Sequence, residues 1–237
     1  MLKILQCNVW AFKAHNGDNF LNLIKRMQPH VVCVQELRQQ DISALANAMD
    51  IAEDRYVTVP EQFCFDAELH SGIFSRLPLT HVRTCGHDGK SVLPVSDTLN
   101  QNLACATVQQ ADGTGYRFVT AHMGWTPEGE VTPAQVQSVH RLVQTLKQEE
   151  ADQGNVVFMG DLNAPRGRPA FDLIGCTFTD HIPTWCDNSL DPSHPAAHKP
   201  QRMVDGVFTS RHLQVQNVQL HADVSDHQAV TGLLSQA

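Results

Sequence analysis

The stretch VVFMGDLN, residues 156–163, sets the reading of the whole chain. Its apolar residues Val156 to Met159 have the length and composition of a buried strand, and Gly160 suits that strand's end. Asp161 and Asn163 lie two apart, so in an extended chain their side chains project to the same side while Leu162 turns toward the core. A carboxylate and a carboxamide converging at the mouth of a sheet serve either a turn or a site. What the rest of the chain places beside them decides which.

Working outward, apolar strands alternate with amphipathic helices. LKILQCNVW reads as a first strand, followed by DNFLNLIKRM as a helix with Asp18 as its N-cap. HVVCVQEL is apolar on both faces and therefore a central strand, and DISALANAMD repeats the helix pattern with Asp41 capping. Short strands are expected around RYVTV, SGIFS and THVRT. LACATVQQ and YRFVTAHM flank ADGTG, a turn that favours a hairpin. A long helix should run from Pro133 to about Glu150 behind Thr132 as N-cap, with proline at its first position. PAFDLI reads as a short helix, residues 183–201 as a long loop, and MVDGVFT, LQVQNVQL and AVTGLL as the last strands.

No repeat, low-complexity block or linker divides this order, so residues 1–237 read as a single domain of α/β or α+β class. Two sheets packed face to face with helices outside bury these strands best.

The bulk numbers agree with a globular chain. Of 237 residues, 42% are hydrophobic and 18% charged, enough for a sizeable core. Every apolar run falls short of the ~20 residues that span a bilayer, so no membrane insertion is expected. The N-terminal segment breaks at Gln6 and does not resemble a signal peptide. The seven cysteines, at 7, 33, 64, 85, 105, 176 and 186, are odd in number and contain no CxxC. That excludes a zinc ribbon and argues for reduced thiols in a cytoplasmic setting. The net charge of −8 argues against tight nonspecific binding of nucleic acid, except through a local basic patch.

Polar residues recur at the ends of the apolar strands. Asn8 ends the first strand, Glu36 the second, His122 the strand FVTA, and Asp161 with Asn163 the strand VVFM; Asp205 interrupts MVDGVF, and Asp226 and His227 precede the last strand. Each alone is an ordinary turn residue. Together, where a sheet opens to solvent, they make a candidate site. Carboxylates without a cysteine cluster favour a hard cation such as Mg²⁺ or Mn²⁺. An Asp can hold or deprotonate water, and amides and His can donate to the oxygens of a phosphoryl transition state. The set points to metal-assisted hydrolysis at phosphorus.

The ordered motifs NVW, QE, SGIFSRLPL, TAHM, GDLN, VDGVF and SDH resemble those of the endonuclease/exonuclease/phosphatase superfamily, from Asn8 to Leu234. That resemblance implies a four-layer α/β sandwich, two mixed β-sheets packed face to face with helices outside. It also implies a metal-dependent phosphoesterase. In that reading Glu36 is the principal metal ligand with Asn8 beside it, and Asp226 supports a metal or the water network. Asp161 activates or positions water, Asn163 stabilises the transition state, and His227 meets the scissile phosphate with Asp205 paired to it. His122 contacts phosphate or assists the leaving group.

The histidine at 122 separates the chain from the exonuclease III and abasic-site branch, which uses a tyrosine and an asparagine nearby. Neither Tyr56 nor Tyr116 is placed for that work. Where many relatives carry an acid two residues after the first Asn, this chain has Trp10. Candidate substrate contacts are Arg76 and Asn102, together with Arg166 and Arg168, although loop charges solvated at the surface are the stronger reading of the last two. Trp125 and Trp185 are expected to pack under loops, with a stacking platform as the other reading. His194 and His198, in a proline-rich loop without cysteine partners, argue against zinc. Residues 60–70, 86–101, 124–132 and 183–201 are the loops expected to select substrate.

The expected substrate is a phosphodiester, DNA or RNA in the leading reading. A small phosphorylated molecule or lipid headgroup is the alternative. The choice between one metal and two, and between Mg²⁺ and Mn²⁺, stays open at this point, as does the oligomeric state.

Overall fold

Residues two apart along the central strands change from apolar to polar in the same direction, and this gradient organises the fold. The computed structural model describes residues 1–12, 16–64, 67–86, 102–126, 131–199 and 202–237. Strand β1 (Leu2–Asn8) is followed by helix α1 (Asn16–Met27), β2 (Val31–Arg38), α2 (Ile42–Met49), β3 (Tyr56–Cys64), β4 (Ala67–Ser75), β5 (Leu79–Gly86), β6 (Asn102–Gln109) and β7 (Gly115–His122). Helix α3 (Pro133–Gln153), β8 (Val156–Asp161), α4 (Pro169–Gly175), β9 (Thr179–Asp180), β10 (Asp205–Thr209), β11 (Leu213–His221) and β12 (Ala229–Gln236) complete the chain.

The strands form two six-stranded sheets, ordered β11-β12-β1-β2-β4-β3 and β5-β6-β7-β8-β10-β9. Each sheet is mixed. Its one parallel pair, β1 with β2 or β7 with β8, lies near its centre, and all other pairings are antiparallel. Parallel neighbours need a crossover, which α1 supplies in the first sheet and α3 in the second.

Three apolar layers separate four layers of structure. Between the sheets lie Ile4, Val31, Cys33, Ile73, Phe118, Val157 and Met159. Outside the first sheet, Leu5, Cys7, Val32 and Phe74 meet Phe20, Leu23 and Ile24 of α1 and Leu45 of α2. Outside the second, Val119 and Phe158 meet Leu142 and Leu146 of α3 and Phe171 of α4. This is the four-layer sandwich with two mixed sheets that the motifs implied.

Local expectations were met in part. Thr132 caps α3 by accepting from the Gln135 amide, with Pro133 behind it. Helix α1 starts at Asn16, so Asp18 lies in its first turn rather than at its cap. Asp41 sits at the start of α2 without capping it, because its carboxylate binds Arg38 Nε at 2.6 Å. Residues 60–64 and 67–70, expected as loop, belong to β3 and β4, with Pro60 paired to His70; residues 65–66 lie outside the described residues. Of the other expected selectivity loops, 87–101, 127–130 and 200–201 lie outside the described residues.

Candidate active site

The carboxyl ends of the four central strands meet at one rim. On the faces turned toward the other sheet, β1 carries Leu2, Ile4, Gln6 and Asn8, and β2 carries Val31, Cys33 and Gln35. The facing strands carry Phe118, Thr120 and His122 on β7 and Val157, Met159 and Asp161 on β8. The inner ends are core; the outer ends are a buried polar network. Gln6 Nε2 donates to Gln35 Oε1 at 2.9 Å and to Asp205 Oδ1 at 2.8 Å. Gln35 Nε2 donates to Thr120 Oγ1 at 2.8 Å, and Thr120 donates to the Met159 carbonyl at 2.7 Å. These amides bridge the two sheets beneath the rim where water is excluded, with Gln6 Oε1 left without a partner.

Above this layer, Oδ2 of Asp161 is the point of convergence. Asn8 Nδ2 donates to it at 3.0 Å and to Glu36 Oε1 at 3.0 Å. His122 Nε2 lies 3.6 Å from the same oxygen and His227 Nε2 lies 3.7 Å away. Burial raises the pKa of both Asp161 and Glu36, because it penalises their charged forms, although the neighbouring histidines oppose the shift.

Two histidine–carboxylate pairs flank this point. His227 Nδ1 lies 2.8 Å from Asp205 Oδ2. Burial would lower its pKa, but the charges of Asp205 and Asp161 and the Asp205 hydrogen bond outweigh burial and raise it to about 10. With a carboxylate oxygen near each ring nitrogen, the surroundings favour the charged ring. His122 Nδ1 lies 2.9 Å from Glu61 Oε2. Here burial is again outweighed, by Glu61 and then Asp161, in the direction of the charged ring. The Asn163 amide acts the other way. Its Nδ2 donates to the Met123 carbonyl at 2.8 Å and faces His122 Nε2 at 2.8 Å, an approach that needs a lone pair on Nε2. The geometry therefore favours His122 as a neutral ring, with its proton on Nδ1 toward Glu61.

Backbone conformation places two of these groups. Glu36 has φ 53°, inside a bulge where the β2–β4 register shifts between Val34 and Leu37. A non-glycine residue in this region is costly, and such outliers cluster at functional positions. Asn163 has φ 48°, and its amide N donates to Asp161 Oδ1 at 2.8 Å. The GDLN segment is thus a turn closed on its own aspartate rather than an extended run, yet both side chains still reach the rim. Gly160 is required by the close β7–β8 approach: a Cβ there would stand 2.2 Å from the Ala121 carbonyl oxygen.

The remaining sequence candidates are dispersed. Asp226 has Ser225 Oγ at 3.2 Å and His194 Nε2 at 3.9 Å, and it does not join the carboxylates around Asn8. Asn102 opens β6 at the His122 end and donates to the Pro60 carbonyl at 2.8 Å. Arg76 follows β4 beyond Ser75, which pairs with Val31 at the start of β2. It therefore lies at the opposite end of the sheet from Glu36, with Nε donating to the Pro29 carbonyl, and cannot reach a phosphate at the rim. Arg166 is committed elsewhere: it pairs with Asp180 at 2.8 Å and donates to the carbonyls of Ile182, Pro183 and Cys186. Its guanidinium ties down this loop. Arg168 is exposed at the start of α4.

Trp125 and Trp185 are 70% and 78% exposed, so neither packs under a loop. Tyr116 is in the inter-sheet core and Tyr56 stacks on Phe74, both away from the rim.

Sequence reasoning missed Glu61, which is 2% exposed, pairs with His122, accepts from Ser71 Oγ and accepts the Glu36 backbone N–H at 3.1 Å. The signal was present but faint. PEQ interrupts β3 with an acid at a position that should have been apolar.

Among the described residues, ligand atoms of Asp161, Asp205 and His227 lie within 4.8 Å of one another. Asp205 is already bound to both His227 and Gln6. The oxygen donors of half-buried Glu36 and buried Asp161 suit a hard cation better, because a positive ion offsets the cost of two ionised carboxylates side by side.

Fold and rim together define an α/β sandwich bearing a carboxylate–amide–histidine cluster at its strand ends. The chain belongs to the endonuclease/exonuclease/phosphatase family, whose profile matches residues 5–227. Solved structures with the same fold include the human Nocturnin catalytic domain with bound sulfate, at 14% identity and TM-score 0.76, covering 100% of this chain and 93% of that one. D. rerio TDP2 with single-strand DNA product aligns at 15% identity and TM-score 0.75, over 99% of each chain. Bacteroides thetaiotaomicron mannosyl-6-phosphatase aligns at 15% identity and TM-score 0.70, over 99% of this chain and 100% of that one. No curated protein matches by sequence.

Proposed function

We propose that this chain is a divalent-metal-dependent phosphoesterase that hydrolyses a phosphodiester by attack of water on phosphorus, with nucleic acid as its substrate. The observation that carries the reading is the convergence of Asn8, His122 and His227 on Oδ2 of Asp161. Glu36, with Asn8 and Asp161 beside it, would hold Mg²⁺ or Mn²⁺, which supplies Lewis-acid polarisation of the phosphoryl oxygens. Asp161 then orients the attacking water and takes its proton. His227, charged and held by Asp205, donates from Nε2 to a phosphoryl oxygen. Asn163 holds His122 through the Nε2 lone pair in the free protein; once substrate displaces that contact, Asn163 donates near the leaving oxygen, and His122 offers Nε2 as an acceptor that must take up a proton before it can donate one. Asp226 supports the water network from the His194 side. The histidine at 122 supports a reading with the histidine-containing members rather than the abasic-site branch.

A second reading, hydrolysis of a small phosphorylated molecule or lipid headgroup, is favoured by the net charge of −8. The relatives span both classes, from TDP2 with a DNA product to a mannosyl-6-phosphatase. A cytoplasmic setting accompanies either, since the six described cysteines are free thiols. No described helix is long and apolar enough to cross a membrane.

Nicking of supercoiled plasmid with Mg²⁺, alongside Asp161→Asn, tests the first reading. Metal-dependent nicking lost in the variant supports it. An intact plasmid together with an intact linear single strand, with turnover of small phosphate esters, moves the function to the second.

A further inference from the structure

The rim opens into a cleft of about 240 Å³ that the phosphoesterase chemistry does not use. One wall is His227 and Asn163; the others are Trp125, Leu190, His194 and Pro195, with Lys199 and Arg202 at the edge. Three features define what fits. The volume lies below the ~300–1,000 Å³ usual for drug-sized ligands, so the cleft takes about one ring system and not a duplex. Trp125 is 70% exposed and gives a bare aromatic face, the surface on which a base or sugar stacks. Lys199 and Arg202 bring positive charge to one place on a chain whose net charge is −8. The His194 ring stands edge-on to His227 with centroids 6.0 Å apart, so a ring bound here is adjacent to the reacting phosphate.

We infer that this cleft is a specificity subsite for a single nucleotidyl unit. A ring stacks on Trp125, a second anionic group meets Lys199, and the scissile phosphoryl lies at His227 and Asp161. This deepens the phosphoesterase reading and rests on it. It makes the substrate a chain terminus or a free nucleotide ester, not an internal bond of a continuous strand.

The test compares Mg²⁺-dependent hydrolysis of two esters: thymidine 5′-(p-nitrophenyl phosphate), which carries the ring, and methyl p-nitrophenyl phosphate, which does not. In wild type the ratio of their kcat/KM values favours the thymidine ester by about tenfold or more, and Trp125→Ala collapses that ratio. Lys199→Gln selectively raises KM for the analogue bearing an added 3′-phosphate. A ratio that Trp125→Ala leaves unchanged overturns the subsite while leaving the phosphoesterase intact.

If wild type hydrolyses neither ester, it is the phosphoesterase reading that fails. Quenching of tryptophan fluorescence by thymidine 5′-monophosphate, lost in Trp125→Phe, reads the subsite without turnover; a quench that persists in that variant counts against it. The two sources are separated by single-stranded DNA. A linear oligonucleotide degraded while a covalently closed circle survives indicates termini. Cleavage of neither, with turnover of the thymidine ester, indicates free nucleotide esters. Equal cleavage of circle and linear strand overturns the inference.

Discussion

Oε2 of Glu61 lies 2.9 Å from Nδ1 of His122, and the other oxygen of the same carboxylate accepts the backbone N–H of Glu36 at 3.1 Å. One buried acid on β3 thus orients a ring of the second sheet and fixes the bulge that aims Glu36. Neither effect requires Glu61 to touch substrate, so it is a positioning residue.

Glu61→Gln should keep the shape and lose the charge that selects the Nδ1–H tautomer, lowering kcat/KM by about a hundredfold or more. The pH–rate profile should shift with it, which a purely structural loss would not produce. An unshifted profile with full activity would show that Glu61 has no hold on His122.

Asn8 separates the half-buried carboxylate of Glu36 from the buried one of Asp161, donating to each at 3.0 Å. Asn8→Ala should raise the Mg²⁺ concentration for half-maximal activity by about 10- to 100-fold, the usual scale for losing a group that orients metal ligands. Titration of activity against Mg²⁺ checks this, and an unaltered midpoint would remove Asn8 from the metal region.

Arg166 spends its guanidinium on Asp180 and on three loop carbonyls. Arg166→Ala should cost about 2–4 kcal/mol, since it leaves partly buried acceptors unpaired. The salt dependence of substrate binding should not change. Urea unfolding and a salt titration of KM give the two readouts, and a flattened salt dependence would restore Arg166 as a phosphate contact.

His181 accepts the Val215 N–H at Nδ1, 3.3 Å away, and holds Thr209 Oγ1 at Nε2, 2.7 Å away, contacts that call for a neutral ring. Burial lowers its pKa below the ordinary 6.5. The unfolded chain therefore binds this proton more readily, so the contribution to stability is whole above pH 6.5 and is lost as pH falls below it. The urea midpoint should drop between pH 7 and pH 5, and the drop should shrink in His181→Gln. Equal slopes in the two proteins would count against the assignment.

The sequence by itself determined the elements and the chemistry. Short apolar runs ending in Asn8, Glu36, His122 and Asp161 specified both the strands and the residue types at their ends, because strand patterning and local caps act over a few residues. The α3 boundaries were legible for the same reason.

Tertiary structure alone decided which polar ends meet. Arg76 and Glu36 flank neighbouring strands in sequence pattern, but the antiparallel β2–β4 pairing sends them to opposite ends of the sheet. Arg166 looked available until folding supplied four oxygen acceptors in place of water, from Asp180, Ile182, Pro183 and Cys186, and set the guanidinium over the Phe171 ring. Glu61 is the converse case: an acid in a hairpin expected to be a loop, made essential to the rim by a sheet-to-sheet contact with His122. Such contacts join residues 61 apart in the chain. No local pattern encodes them, because burial and pairing are properties of the packed sheets rather than of either strand.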